Sequence, residues 1–266
     1  MARALLVALL VLTGGTVYLF IAKIWWMPPP ISTSGEAIDR GLSSTLVILG
    51  VVFVLAQVAL GFFVWKFRKA GTSQHSTGHR GTEMAWTAIT AIIFIGLSLA
   101  GERTWADLRS SRPLDPRSVE VEVTGTQFAW YFRYPGADGA FGRTDPRIVD
   151  ASLGSASAIG LDTNDPASKD DFVTAALVVP VDREVQLRLH AQDVIHSFFV
   201  PELRLKQDAV PGLNVEAHFK ATRLGEYEIV CAELCGLGHY RMHGTLRVIS
   251  VDDYSKWLQE HIGAAR

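Results

Sequence analysis

The segment Cys231-Ala-Glu-Leu-Cys235-Gly-Leu-Gly-His239-Tyr-Arg-Met242 gathers both cysteines of the chain, one histidine and the last of its four methionines. Two thiols, an imidazole and a thioether within twelve residues make a soft ligand set. Thiolate and thioether ligands select copper, and imidazole suits it too. A second imidazole stands upstream at His196, in Asp193-Val-Ile-His196-Ser-Phe-Phe-Val-Pro-Glu202. Two other readings use the same residues. Cysteines four apart can close a disulfide in an oxidising compartment. Two Cys and two His can also hold one tetrahedral zinc ion. Zinc leaves the methionine at its fixed offset without a use.

The two segments together resemble the dinuclear copper centre, the Cu-A site, of subunit II of haem–copper cytochrome c oxidases. That family's pattern is Cys-x-Glu-x-Cys-x-x-x-His-x-x-Met with one upstream His, and every position is filled here. The resemblance implies that Cys231 and Cys235 bridge two copper ions and that His196 and His239 bind one ion each. It implies Met242 and the backbone carbonyl of Glu233 as weak axial ligands. It also implies that the Glu233 carboxylate reaches a magnesium ion at the boundary with subunit I, with Asp208 in a neighbouring matched segment. Oxygen ligands suit magnesium.

Stepping along the chain, three runs carry no charge: residues 4–22, 42–65 and 84–100. A bilayer core of about 30 Å needs about 20 apolar helical residues, with about 17 as a lower bound. The second and third runs therefore predict a transmembrane hairpin over 41–103. The first reads either as a signal peptide or as an extra transmembrane helix over 1–27, since it follows Arg3 yet lacks a small-x-small cleavage site. Lys66, Arg68, Lys69 and Arg80 lie between the second and third runs with no acidic residue among them. The positive-inside rule puts that loop in the cytoplasm and everything after residue 101 outside. Trp25, Trp26 and Trp65 fall where aromatic belts form.

Beyond the runs, residues 101–118 read as a polar, proline-containing linker. Alternation of apolar and polar residues predicts strands over 119–124, 184–190, 215–221, 226–230 and 245–251. Pro135-Gly136, Pro211-Gly212, Leu224-Gly225 and His243-Gly244 supply turn signals. Short strands between such turns indicate a β-sandwich or barrel. The resemblance specifies an all-β, cupredoxin-like Greek-key sandwich over 119–250, with a C-terminal helix over 251–266 carrying Tyr254, Trp257, Leu258 and Ile262 on one side. Residues 136–171 form a Gly/Asp/Ser-rich insertion. Its Asp162, Asp165, Asp170 and Asp171 could hold calcium or, by bonding their own backbone, initiate turns.

Charge is split. Residues 1–118 hold 11 Lys and Arg against 6 Asp and Glu, whereas residues 119–266 hold 14 against 21. An acidic outer domain can steer a basic protein partner and is a poor match for nucleic acid. No covalent-haem motif, phosphate loop or dinucleotide fingerprint occurs.

The resemblance extends to other residues. Glu83-Met-Ala-Trp86 matches the family's glutamate at the cytoplasmic mouth of a proton channel shared with subunit I. Gln127-Phe128-Ala129-Trp130-Tyr131-Phe132 matches its aromatic segment facing cytochrome c. There the first aromatic after Gln is commonly Trp, which receives the electron. Here it is Phe128, which marks the docking patch, while Trp130 packs beside the copper site. His190, His218, His243 and His261 match no role, although His243 is placed to tune the site from beside Met242. Leu213 stands where the family often has Arg.

The function implied is electron relay in a bacterial plasma membrane complex. Cytochrome c, or an equivalent basic donor, would pass electrons through two copper ions to the haem of subunit I. Dioxygen would be reduced to water there, coupled to proton translocation, with other oxidase subunits and membrane lipid as partners. The alternatives are the Cu-A subunit of a nitric oxide reductase and a membrane-anchored copper-binding assembly module.

Overall fold

The computed structural model describes residues 2–24, 26–69, 78–109 and 117–264. Three helices come first: α1 (Ala2–Ile21), α2 (Thr33–Phe67) and α3 (Arg80–Arg109). Each is long and apolar enough to cross a membrane, and none buries its most apolar stretch within the chain. Their leucines, valines and phenylalanines face outward, an arrangement that water would penalise and lipid accepts. The 35 residues of α2 span about 52 Å at 1.5 Å per residue, well beyond the bilayer core. Its first turns are polar, and Glu36 suits the positive end of the helix dipole.

One expectation fails at the end of α3. Residues 101–109, read as linker, are helical. Their polarity marks a helix leaving apolar surroundings. The rest of that stretch, 110–116, lies outside the described residues, as does Trp25.

The chain divides into two compact units, one holding residues 1–27 and 38–107, the other 28–37 and 108–266. The second unit is a sandwich of two five-stranded sheets. Its strands are β1 (Val119–Thr126), β2 (Ala129–Tyr134), β3 (Phe172–Thr174), β4 (Ala176–Pro180), β5 (Glu184–Ala191), β6 (His196–Val200), β7 (Leu205–Ala209), β8 (Val215–Lys220), β9 (Gly225–Cys231) and β10 (His243–Ile249). The sheet orders are β3-β2-β1-β5-β8 and β4-β10-β9-β6-β7. Two pairs, β1 with β5 and β4 with β10, are parallel and join strands far apart in sequence.

The alternation seen in the sequence sets which face is core. On β5, Val185, Leu187 and Leu189 point inward while Gln186, Arg188 and His190 point away. Val121 and Val123, then Trp130, Phe132 and Tyr134, continue that inner face. Leu177, Val179, Phe198, Val200, Ile229, Leu246 and Val248 meet it from the other sheet. Strands β4 and β6 lack alternation because Leu177–Pro180 and most of His196–Val200 are buried on both sides. Two turn signals also misread the fold: Gly225 opens β9, and His243-Gly244 opens β10 in register with Val230 and Ile229.

Helix α4 (Ser155–Ala158) and short 3-10 turns make up the insertion. Asp145, Asp150 and Asp165 cap those turns. The four aspartates raised as calcium ligands have other partners. Asp162 and Asp165 pair with Arg143, and Asp170 accepts from the amides of Ala137 and Asp138. Asp171 is buried against Arg133, which also pairs with Glu122 and donates to the Gly142 carbonyl. The turn reading holds for Asp162 and Asp165, which accept from the amides of Asn164 and Ala167 two residues on, whereas Asp170 and Asp171 tie together segments about 30 residues apart.

Two pieces close the sandwich. Helix α5 (Val251–Ala264) is capped by Ser250, whose hydroxyl accepts from the Asp253 amide and donates to its carboxylate. Trp257 then meets Tyr134 and Phe172 edge-on. At another edge, Ile31 donates its amide to the Glu202 carbonyl and accepts from Thr222, while the fully buried Ser32 hydroxyl donates to the Leu203 carbonyl. The same hydroxyl accepts from the Gly35 amide and so starts α2.

Candidate metal centre

Strand β9 delivers Cys231 at its last residue, and β10 begins at His243. The reversal between them is residues 232–242, including a 3-10 turn over His239–Arg241. The loop is tied at its neck by the Cys231 amide donating to the Met242 carbonyl at 3.2 Å. Strand β6 lies beside β9, with Phe198 opposite Cys231, and this pairing carries His196 to the same end of the sheet.

The donors converge as a pair of thiols with flanking groups. Cys231 Sγ and Cys235 Sγ are free, buried and 3.8 Å apart. Cys231 Sγ has His196 Nδ1 at 3.9 Å and the Glu233 carbonyl at 3.2 Å. Cys235 Sγ has His239 Nδ1 at 3.6 Å and Met242 Sδ at 3.8 Å. Each sulfur thus has one imidazole and one weak donor of its own. Among the described residues, His196, Cys231 and Cys235 are the one group of three or more His, Cys, Asp or Glu side chains placed to hold a metal ion. Thiolate, imidazole and thioether in this proportion fit copper. Burial, then the neighbouring Cys231 thiol, pushes the Cys235 thiol up to about 11, so without a cation that sulfur keeps its proton at neutral pH.

Residues that the sequence did not single out orient these donors. Asp193 Oδ1 lies 2.8 Å from His196 Nε2. A carboxylate there requires the proton on Nε2, which leaves the Nδ1 lone pair facing Cys231. Burial raises the Asp193 carboxyl, but hydrogen bonds from His196, Val194 and Gln127 outweigh it and hold it below the usual range. Gln127 donates its amide N–H to Asp193 at 2.6 Å and its side-chain Nε2 to the Cys235 carbonyl at 2.6 Å. It links the histidine's partner to the cysteine loop. The signal was present in Asp193-x-x-His196, a carboxylate one turn ahead of an imidazole.

Trp130 is buried and meets the His196 ring edge-on at 6.0 Å. A side chain at Gly125 would strike both rings, so the glycine makes room for that contact. Phe128 is partly exposed, and its ring fills the space left by Gly236 and Gly238. The Glu233 side chain points outward. Asp208 accepts from the buried Ser197 hydroxyl at 2.6 Å, which holds its carboxyl below the usual range. His243 bridges the Glu228 carboxylate and the Tyr240 carbonyl at 2.7 and 2.8 Å. His190 pairs with Glu122, and His261 packs on Trp257. Glu83 lies in the first turn of α3, in the other unit.

Comparisons with known proteins give the family of the chain. A family model described as "Cytochrome C oxidase subunit II, periplasmic domain" matches residues 119–249. "Alternative cytochrome c oxidase subunit 2" of Bradyrhizobium diazoefficiens is 31% identical over 259 residues, covering 96% of this chain and 90% of that one. "Cytochrome c oxidase subunit 2" of Cereibacter sphaeroides is 30% identical over 249 residues, covering 88% and 78%. The crystal structure of the periplasmic domain of subunit II of cytochrome oxidase (CoxB) of Bradyrhizobium japonicum has 26% identity and a TM-score of 0.43, covering 59% of this chain and all of that one. With two relatives matched across most of their length and its outer domain matched by the family model, the chain belongs to the cytochrome c oxidase subunit II family.

Proposed function

We propose that this chain is the electron-receiving subunit of a respiratory cytochrome c oxidase and holds two copper ions between its cysteines. The observation that carries the reading is the even division of donors, one imidazole and one weak donor for each sulfur. A single tetrahedral ion would use four donors and leave two without a role. Cys231, Cys235, His196 and His239 would hold the ions, the histidines through Nδ1, with Met242 and the Glu233 carbonyl as weaker donors. Copper held there would supply one-electron transfer. The protein's part is to fix that geometry: the Cys231–Met242 tie closes the loop, Asp193 fixes the His196 tautomer, and Trp130 walls off water.

Electrons arrive from cytochrome c and leave to the haem of subunit I, where dioxygen becomes water. The Glu233 carboxylate is available to a magnesium ion at that boundary, and Glu83 takes up protons at the cytoplasmic start of α3. The sandwich stands on the outer side of a bacterial plasma membrane. Lys66, Arg68, Lys69 and Arg80 lie between the second and third apolar runs, which the positive-inside rule assigns to the cytoplasm. Metal analysis and electron paramagnetic resonance of the purified complex test the reading. Two coppers per chain with a seven-line mixed-valence pattern are expected, together with a co-purifying haem subunit. One zinc ion, or no haem partner, would refute it.

A further inference from the structure

We propose that α1 stays with the mature chain as a third transmembrane helix, seated antiparallel on α2. The α2 stripe holding Gln57 and Gly61 is then its seat, not a surface offered to lipid or to another subunit. This goes beyond the electron-relay reading and does not depend on what the metal centre binds. Burial on α1 is periodic. Ala2, Leu6, Leu9, Thr13 and Val17 are half-buried among exposed neighbours, at spacings of four, three, four and four. That spacing is one face of a helix, and here it is the face in contact. On α2, Leu46, Phe53, Gln57, Gly61 and Val64 are half-buried at matching intervals. Leu6 Cδ2 lies 3.8 Å from where a side chain at Gly61 would begin. Towards the other end of α1, Thr16, Val17 and Phe20 line an apolar groove with Leu46, Gly50 and Val54 of α2. The start of α1 therefore meets the last turns of α2, and its end meets the first half of the apolar run.

Helices in lipid associate by close packing at small residues and by polar side chains turned away from the hydrocarbon. Gly61 supplies the first. Gln57 supplies the second: it is the one amide side chain in the uncharged run 42–65, and it falls on the seat, with Thr13 on the stripe of α1. Turned to lipid, that amide would be costly. The 20 residues of α1 span about 30 Å, the thickness of a bilayer core. Arg3 stands at the end of α1 that meets Gly61, the end at which Lys66 and Arg68 leave α2. One assignment of sides thus satisfies the positive-inside rule for both helices. Lys23, past the other end, holds its ammonium 5.9 Å from the Trp26 ring, as a cation does at a membrane surface. A removed leader carries small residues just before its cut. From Tyr18 to Ile31 the chain offers a single Ala, Gly or Ser, which is Ala22, with Phe20 two places before it. A cut after the next small pair, Ser32 and Ser34, would discard the Ser32 hydroxyl that starts α2.

The test begins with the wild-type complex purified from membranes. The intact mass and N-terminal sequence of this chain are measured. A chain that begins within its first three residues is the expected result, and any later start overturns the proposal. Oxidative cross-linking in isolated membranes then tests the seat. Leu6→Cys/Gly61→Cys should form a bridge within the chain. Leu5→Cys/Gly61→Cys, whose first position is 49% exposed on another face of α1, should not. Peptide mapping separates this bridge from one between the native Cys231 and Cys235. No bridge in the first pair, or equal yields in both pairs, overturns the seat on α2. If Gly61→Cys prevents assembly, Val17→Cys/Gly50→Cys across the groove decides in its place. A two-copper spectrum in a chain that lacks α1 would leave the electron-relay reading standing and overturn this proposal alone. A complex that keeps α1 on its seat but lacks that spectrum would do the reverse.

Discussion

A thiol buried beside a second thiol resists ionisation, and a metal reverses that preference. Cys235 sits at about 11 because burial and Cys231 both disfavour its thiolate. Copper loading must therefore displace the Cys235 proton, and the apparent affinity rises with pH while that thiol is protonated. We expect about one decade of affinity per pH unit from pH 6 to 8 in a competition titration of the metal-free protein. A flat profile would mean that the thiols are not the ligands. Asp193 acts through His196. In Asp193→Asn the carboxylate that sets the tautomer is gone, and copper affinity should fall about 10- to 100-fold with the fold intact. Unchanged affinity and an unchanged resonance spectrum would reduce the 2.8 Å contact to packing.

The outer face of the first sheet hides a charge cluster under the insertion. Arg133 pairs with Glu122 and Asp171, with Phe141 over its guanidinium. Burial raises the Asp171 carboxyl and outweighs the Gly142 and Arg133 contacts that lower it. For Glu122 the order reverses: burial raises it, but His190 and Arg133 together bring it below the usual value. The two carboxyls thus oppose each other in pH dependence. The Glu122 contribution is present above its unfolded pKa and is lost as pH falls through the lowered value. Asp171 favours the folded state when protonated, and that share disappears as pH rises. Removing the cation should be costly in either case. Arg133→Met leaves a buried carboxylate uncompensated and should cost about 3–5 kcal/mol. Thermal unfolding measures it, and proteolysis should first cut within 136–171. A loss below about 1 kcal/mol would show that the insertion is held by other contacts.

At the scale of the molecule, the basic loop and the sandwich unit predict opposite sides of a membrane. A single cysteine at Lys69 should react with an impermeant thiol reagent only in inside-out vesicles. One at Leu153, exposed on the insertion, should react only in right-side-out vesicles. Equal labelling of both from one side would contradict the proposed topology. Much of this organisation was legible in the chain. The three uncharged runs, the alternating strands and the α5 stripe of Tyr254, Trp257, Leu258 and Ile262 each write a period that secondary structure imposes. Strands β4 and β6 were not legible, because a strand buried on both faces has no alternation to read. The end of α3 was misplaced because polarity marks exposure, and exposure does not end a helix.

The sequence by itself determined the donors on offer at the candidate centre: two thiols, two imidazoles and a thioether, in the order of the family's pattern. It also determined that an apolar anchor precedes an all-β domain. Only the tertiary structure decided which nitrogen of His196 faces the sulfur, that Gln127 reaches the Cys235 carbonyl, and that Phe128 shelters between Gly236 and Gly238. Gln127 and Cys235 are 108 residues apart, and His196 and Cys231 are 35 apart. A local pattern sets the period and exposure of each segment. Which loops meet is set by strand pairing across the sandwich, and the β6–β9 register is what brings His196 to the cysteines.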